Sequence, residues 1–540
     1  MTGSEGIHRK LSTALNHFAQ FVSDFSAIIY VGLISCLLLA CLAAAYFLTV
    51  EADEAWMLLS TFNAFGAPVP LSDALVSPTL TSGGVHLLLH GFLAWFTSIV
   101  IIHRIISFVF TLILTVTVYL LIKRPGRTTS IALGGTALFA TVPGFIFQAG
   151  LATAEIIATT LLIVACIHWI NRGQRYSRSA VLTGILFGLS CATRINCVVA
   201  MPVFVVFATF AGGDRWARIY RPLICVATAV IVLIISMAAY VISTANADGT
   251  KTAQFFLESS GVSGGKSLSQ LMWAFSIANG IMPAWLIGIV AVGCAISLSR
   301  RSSDPSRSQE TRLTALLVLI GLAGLAAWIA KAPIPHIRYL WPALPCLWLA
   351  GVLQVAYLMS RRPTPLRDLP FHLMIFVACV SRLADDLLIL ANGESLTMVY
   401  QANGIASSDF PGPAFRASSD QIATAKFVKM QRSDTQFYTP IPSIAFPITL
   451  LSGRGIASIE KMRSSGDRYL VWSPADSHVW HPDAAFVQWI RTNTSPVLTS
   501  GDFAIFRVKN GNSEPPPALM LRGGGNSVMP LRQPQKRDGH

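Results

Sequence analysis

The sequence predicts an all-α polytopic membrane bundle of about eleven spans, followed by a small α/β domain on the extracytoplasmic side. Three observations predict it. Of the 540 residues, 53% are hydrophobic and only 12% charged, with a mean hydropathy of +0.58, whereas a soluble domain carries about 25% charge. Apolar runs of spanning length recur through residues 27–390. The bases between them fall in every second loop, as the positive-inside rule requires of a chain whose N-terminus is cytoplasmic.

Residues 1–26 are polar and precede a first run, 27–50, that is long enough to span. A cleaved signal is therefore not expected. Further runs lie near 104–122, 129–147, 152–170, 180–193, 195–211, 222–242, 276–299, 313–330, 338–360 and 370–390. Arg9 and Lys10 come before the first. Lys123, Arg124 and Arg127 share one later loop, and Arg172, Arg175 and Arg178 another. Arg215, Arg218 and Arg221 follow, then Arg300, Arg301, Arg307 and Arg312, then Arg361, Arg362 and Arg367. The loops between are poor in bases. The alternation holds only if 85–102, "VHLLLHGFLAWFTSIVII", lies along the outer membrane surface instead of crossing.

The outer loop 51–103 then belongs to a transmembrane unit of residues 27–390. The net charge of +14 marks cytoplasmic loops and not a stripe for nucleic acid. The nine cysteines lie in or beside apolar runs, with neither a disulfide framework nor zinc spacing, and read as small hydrophobes. From 391 to 510 the chain mixes polar and apolar residues. "RYLVWSP" and "DFAIFRV" read as strands, and "PDAAFVQWIRTN" as a short amphipathic helix opened by Pro482 and Asp483. Residues 511–540 have the composition of a disordered tail.

Within this frame a few charged residues stand out. Asp53 and Glu54, in "VEADEAWMLLSTFNAFGAPVP", sit directly against the outer end of the first span. They are either solvated acids closing that end or a general base at the water–membrane boundary, where partial desolvation strengthens a carboxylate as a proton acceptor. Glu155 lies about one turn inside a later span, where an ionisable group faces a cavity or reaches up to water. Lys331, His336 and Arg338 fall together in "KAPIPHIRYLWPALP". They read either as interface anchors or as a clamp for a phosphate, which Arg grips through two parallel bonds. Arg104 opens the second span and Arg194 interrupts "CATRINCVV"; Arg104 faces the same cavity or snorkels to headgroups. Outer-face acids and bases in a many-span chain point to chemistry on a phosphorylated lipid.

The chain resembles the GT-C membrane glycosyltransferases, in particular the protein mannosyltransferase and lipid A aminoarabinose transferase group. The resemblance covers about residues 27–360. It rests on "ADEAWMLLS" after the first span, "HRIISFVF" with Arg104, "LTGILFGLSCATRINCVVAMP" with its Thr-Arg break, and "RYLWPALP". It implies a membrane enzyme that moves a sugar from a polyprenyl-phosphate donor to an acceptor hydroxyl on the outer face, with inversion; chain length, basic loops and the absence of outer-loop cysteines place it in a bacterial plasma membrane. The acceptor would be a glycan, a lipid or a protein. Asp53 would be the catalytic base, Glu54 its neighbour in the motif, and Glu155 the second acid. Arg338, with Lys331, Arg104 and His336, would hold the donor phosphate. A divalent cation between Asp53 and Glu155 is left open. Where the family carries a Pro-Pro pair after a base in the first outer loop, this chain has "GGVHLLLHG" with His86 and His90. The rival from another class is a flippase for a lipid-linked sugar, which would use similar charges without chemistry.

Overall fold

The computed structural model describes residues 2–48, 52–64, 83–124, 127–142, 144–173, 177–210, 216–243, 305–331, 341–361, 365–392, 418–440, 442–459, 462, 466–472, 480–482, 484–500, 503–509, 515–516 and 519–521. Its N-terminal part is helical: α1 (Thr2–Phe47), α2 (Ala52–Ala64), α3 (Gly84–Ala94), α4 (Val100–Ile122), α5 (Thr129–Phe139) and α6 (Phe145–Gly150). There follow α7 (Ala154–His168), α8 (Ser177–Thr193), α9 (Ala200–Phe210), α10 (Ala217–Ser243), α11 (Pro305–Lys331), α12 (Ala343–Arg361) and α13 (Pro365–Asn392).

Six stretches of these helices are long and apolar enough to cross a bilayer: Asp24–Phe47, Val100–Ile122, Ala154–Arg172, Ile219–Ser236, Gln309–Ala327 and Ala343–Ser360. Large side chains such as Ile113, Val116 and Leu120 on α4, and Ile231, Ile234 and Ile235 on α10, point outward, as a lipid-facing belt requires. The expected count of about eleven spans is not reached among the described residues. The run 129–147 breaks into α5 and α6 at a turn where Gly144 takes φ +79°. The runs 180–193 and 195–211 become α8 and α9, separated by Arg194 in extended backbone and a 3₁₀ turn over Ile195–Val199. Helix α13 covers 370–390 but buries Arg382, Asp385 and Asp386 along its length, so composition does not mark it as a span. The run 276–299 lies outside the described residues.

The stretch 85–102 does not form one surface helix. Helix α3 ends at Ala94, and the chain turns and starts α4 at Val100. At 1.5 Å per residue α3 is about 16 Å long, too short for a hydrocarbon core of about 30 Å. Its outward face carries Leu88 and Phe92, followed just past its end by exposed Trp95 and Phe96, an aromatic edge suited to the membrane interface. Its other face is buried and bears His86 and His90.

Close approach holds the bundle together. Tyr30 on α1 bonds His372 Nδ1 on α13 at 2.5 Å. Arg127, just before α5, donates to both carboxylate oxygens of Glu310 on α11 at 2.6 and 2.8 Å. Helix α8 lies against α10 through Gly184, where an added Cβ would stand 2.4 Å from the Cys225 carbonyl oxygen. Gly184→Ala is therefore expected to force the two helices apart and lose about 1–3 kcal/mol. Thermal unfolding in detergent measures it; an unchanged midpoint would disprove the tight crossing. The eight described cysteines are all unpaired, and seven of them are buried, in keeping with their reading as small hydrophobes.

The C-terminal part holds α14 (Ser418–Met430), β1 (Gln436–Thr439), α15 (Pro442–Ser452), β2 (Ala457–Ser458), β3 (Arg468–Trp472), β4 (Trp480–Pro482), α16 (Ala484–Asn493), β5 (Thr494–Ser500), β6 (Phe503–Val508) and β7 (Leu519–Leu521). The sheet order is β2-β1-β3-β6-β5, with β1 parallel to both neighbours and the remaining pairs antiparallel. Every residue of β3 is buried, as expected of a central strand. Arg454 closes the end of α14 by donating to the carbonyls of Val428, Gln431 and Thr435 at 3.0, 2.8 and 2.8 Å. Strand β7 falls within the stretch expected to be a tail and pairs antiparallel with β4; residues after 521 lie outside the described ones. Helix α15 sets Leu450 and Leu451 against Ala55, Leu58, Leu59 and Phe62 of α2, which joins this domain to the bundle at the helix carrying the acid pair.

Candidate functional site

One end of the bundle gathers the C-terminus of α1, all of α2 and α3, the start of α4, the start of α7 and the end of α8. The sequence puts charges at this end, and burial forces each to find a partner. Glu54, in the first turn of α2, is fully buried. Arg104 grips it through two parallel bonds, Nε to Oε1 at 2.7 Å and Nη2 to Oε2 at 2.6 Å. The remaining guanidinium nitrogen donates to the carbonyls of Ala45 and Leu48 at 3.2 and 2.8 Å. These carbonyls belong to the last turn of α1, which has no further helical donors for them. The Ala152 amide completes the arrangement by donating to Glu54 Oε1 at 2.7 Å. One carboxylate thus joins the ends of three helices.

A second buried pair stands beside it. Glu155, in the first turn of α7, lies 3.0 Å from the Arg194 guanidinium. Arg194 reaches it from the break between α8 and the 3₁₀ turn. The preceding Thr193 accepts the Val85 amide at 3.1 Å and so seats the start of α3 on the end of α8. Gly84 makes that seat possible. Its φ of +48° lies in the left-handed region, and an added Cβ would come within 2.8 Å of the Thr193 nitrogen.

Three buried histidines lie between the two ion pairs. His86 Nε2 donates to the Ala152 carbonyl at 3.2 Å, so one peptide group binds Glu54 on its amide side and His86 on its carbonyl side. His103 Nε2 donates to the Thr97 carbonyl at 3.1 Å. That fixes the proton of His103 on Nε2 and leaves its Nδ1 as an acceptor. His90 Nδ1 stands 3.0 Å from His103 Nδ1 and is therefore the donor of that bond. Among the described residues, His86 Nδ1 and His90 Nε2 are buried with no hydrogen-bond partner. Burial holds His86 down to about 4 from a usual 6.5, with Arg194 adding in the same direction, and holds His90 below its usual value as well.

Both rings enter the folded state neutral, and the unfolded chain takes up their protons first as pH falls. Stability is therefore expected to be full above pH 6.5 and to decline as pH drops from there towards 4. A melting series across that interval checks it; a flat response would show that the rings are not held neutral.

The structure brings Glu54, Arg104, Glu155 and Arg194 to one end. Asp53 lies in the same turn of α2 as Glu54, with its side chain outside the described residues. His336 and Arg338 also lie outside them, as does the side chain of Lys331, the last residue of α11. The sequence reading singled out His86 and His90 only as occupants of a departing segment, and it missed His103. Their i, i+4 spacing does place the first two on one helix face, but nothing local shows that this face turns inward.

Among the described residues no three His, Cys, Asp or Glu side chains are grouped to hold a metal ion; the cation left open between Asp53 and Glu155 involves the Asp53 side chain, which lies outside the described residues.

No family model matches the sequence, and no curated protein does either. Among solved structures the chain is similar to the oligosaccharyltransferase AglB of Archaeoglobus fulgidus in complex with an inhibitory peptide and a dolichol-phosphate. That likeness has 12% identity and a TM-score of 0.48 over 89% of this chain and 74% of the other. It is also similar to the Archaeoglobus fulgidus oligosaccharyltransferase tethered with an acceptor peptide, at 12% identity and TM-score 0.45 over 91% and 76% of the two chains. The same organism's oligosaccharyltransferase in complex with Zn and sulfate gives 14% identity and TM-score 0.46 over 88% and 73%.

Proposed function

We propose that the chain is a membrane glycosyltransferase that passes a sugar from a polyprenyl-phosphate donor to an acceptor hydroxyl on the extracytoplasmic face, with inversion. One observation carries the reading. Three segments on which the family resemblance rests, around Glu54, Arg104 and Thr193–Arg194, are 50 to 140 residues apart in sequence, yet they meet at one end of the bundle. Asp53 is the base that takes the acceptor proton. Glu54 holds the first turn of α2, and with it the backbone of Asp53, through its bonds to Arg104 and Ala152. Glu155 is the second acid of the site.

The departing lipid phosphate is an anion, and fixed cations stabilise the charge that develops on it. Arg104 is committed to Glu54, which leaves Arg338, Lys331 and His336 as the donor-phosphate clamp in this reading. A glycan, lipid or protein hydroxyl is the acceptor, and the bacterial plasma membrane the setting. The test is sugar transfer from radiolabelled polyprenyl-phosphate sugars by the purified protein in lipid nanodiscs. Transfer to an added acceptor supports the reading. Donor movement across a vesicle membrane with no transfer would replace it with the flippase.

A further inference from the structure

A base at a membrane boundary must pass on the proton it takes, or it turns over once. The fold carries a device suited to that task. His103 sits in the first turn of α4 with its Nε2 proton on the carbonyl of Thr97, a half-buried residue next to exposed Ser98. His90 donates from Nδ1 to His103 Nδ1, and its Nε2 lone pair is buried and unpartnered among the described residues. Phe62 of α2 closes the other side, its ring centroid 5.0 Å from that of His103. The two rings form a directed chain with an open acceptor at the inner end and a proton poised at the outer end. Glu54 lies beside it on the α2 side, and Arg194 lies beside His86 from the α8 side.

We propose that His90 and His103 relay protons between the buried acid end of the bundle and the surface at Thr97. A proton enters on His90 Nε2 as the Nδ1 proton moves to His103 Nδ1, and the Nε2 proton of His103 leaves to water beside Thr97. One proton enters and one leaves, with no charge left behind. Rotation of each ring, carrying its bound proton toward the outer side, restores the starting arrangement. His86 is not in the line, because neither of its ring nitrogens bonds to His90 or His103. The inference rests on the transferase reading only for the source of the proton, which is Asp53 once it has deprotonated the acceptor.

Exchange with heavy water tests the relay whatever the reaction. In full-length protein with ¹⁵N-labelled imidazoles in nanodiscs, the His90 Nδ1 proton is expected to exchange at least about tenfold faster than the His86 Nε2 proton. His103→Gln, which keeps a donor for the Thr97 carbonyl but cannot pass a proton on, is expected to abolish that difference. Equal rates in the wild type, or no change in His103→Gln with its fold intact, would overturn the relay. In the transfer assay, the same variant is expected to lose about tenfold in kcat with KM unchanged and to show a larger solvent deuterium isotope effect. Wild-type kcat and isotope effect in His103→Gln would remove the relay from catalysis. A protein that transfers no sugar but retains the exchange difference would overturn the transferase reading and leave the relay standing.

Discussion

In the Asp53→Asn variant, sugar transfer is expected to fall by about 10²–10⁴-fold, the usual contribution of a positioned general base, while donor binding stays intact. Asparagine matches aspartate in shape but cannot accept a proton at neutral pH. Glu54 and Arg104 hold the surrounding turn of α2 without help from residue 53, so the fold should survive the change. A transfer assay alongside donor binding separates the two quantities. Wild-type transfer in a folded Asp53→Asn protein would take the base role from this residue. Glu54 is a poor substitute, since three donors already occupy its two oxygens.

Arg104→Met is expected to cost about 3–5 kcal/mol of stability, the range for removing one partner of a buried ion pair. Methionine keeps much of the volume and leaves Glu54 charged with only the Ala152 amide. It also strips the donors from the Ala45 and Leu48 carbonyls at the end of α1. The partner test is the double variant Glu54→Gln with Arg104→Met. It should recover part of the loss, because the stranded charge is gone while the two carbonyls still lack donors. Denaturant unfolding in a fixed detergent measures all three proteins. A loss below about 1 kcal/mol for Arg104→Met would show that the pair is solvated and does not lock the site.

Much of this architecture is legible in the sequence because a membrane imposes simple rules. An apolar run of spanning length has few folds other than a helix, since unpaired backbone groups cannot lie in lipid. That is why Val100–Ile122 and Ala343–Ser360 follow closely from their runs. The strands at Arg468–Trp472 and Phe503–Val508 were legible from short runs of aromatic and β-branched residues, and the helix at Ala484–Asn493 from its amphipathic pattern. The breaks within 129–147 and around Arg194 were not, because hydropathy sums over a window and does not register one residue in a different backbone region. The charges on α13 lie on a face that packs inward, which composition cannot report.

The amino-acid sequence by itself determined a helical membrane chain with a small C-terminal sheet, and it put Asp53, Glu54, Arg104, Glu155 and Arg194 at the ends of apolar runs. It could do so because length, hydropathy and the placement of bases are local properties. Only the tertiary structure decided who pairs with whom. Arg104 joins Glu54 across fifty positions, Arg194 joins Glu155, and His90 bonds His103 beside them. Those pairings arise because a buried charge must take whichever partner the packing of distant helices brings within reach, and that is a property of the whole bundle.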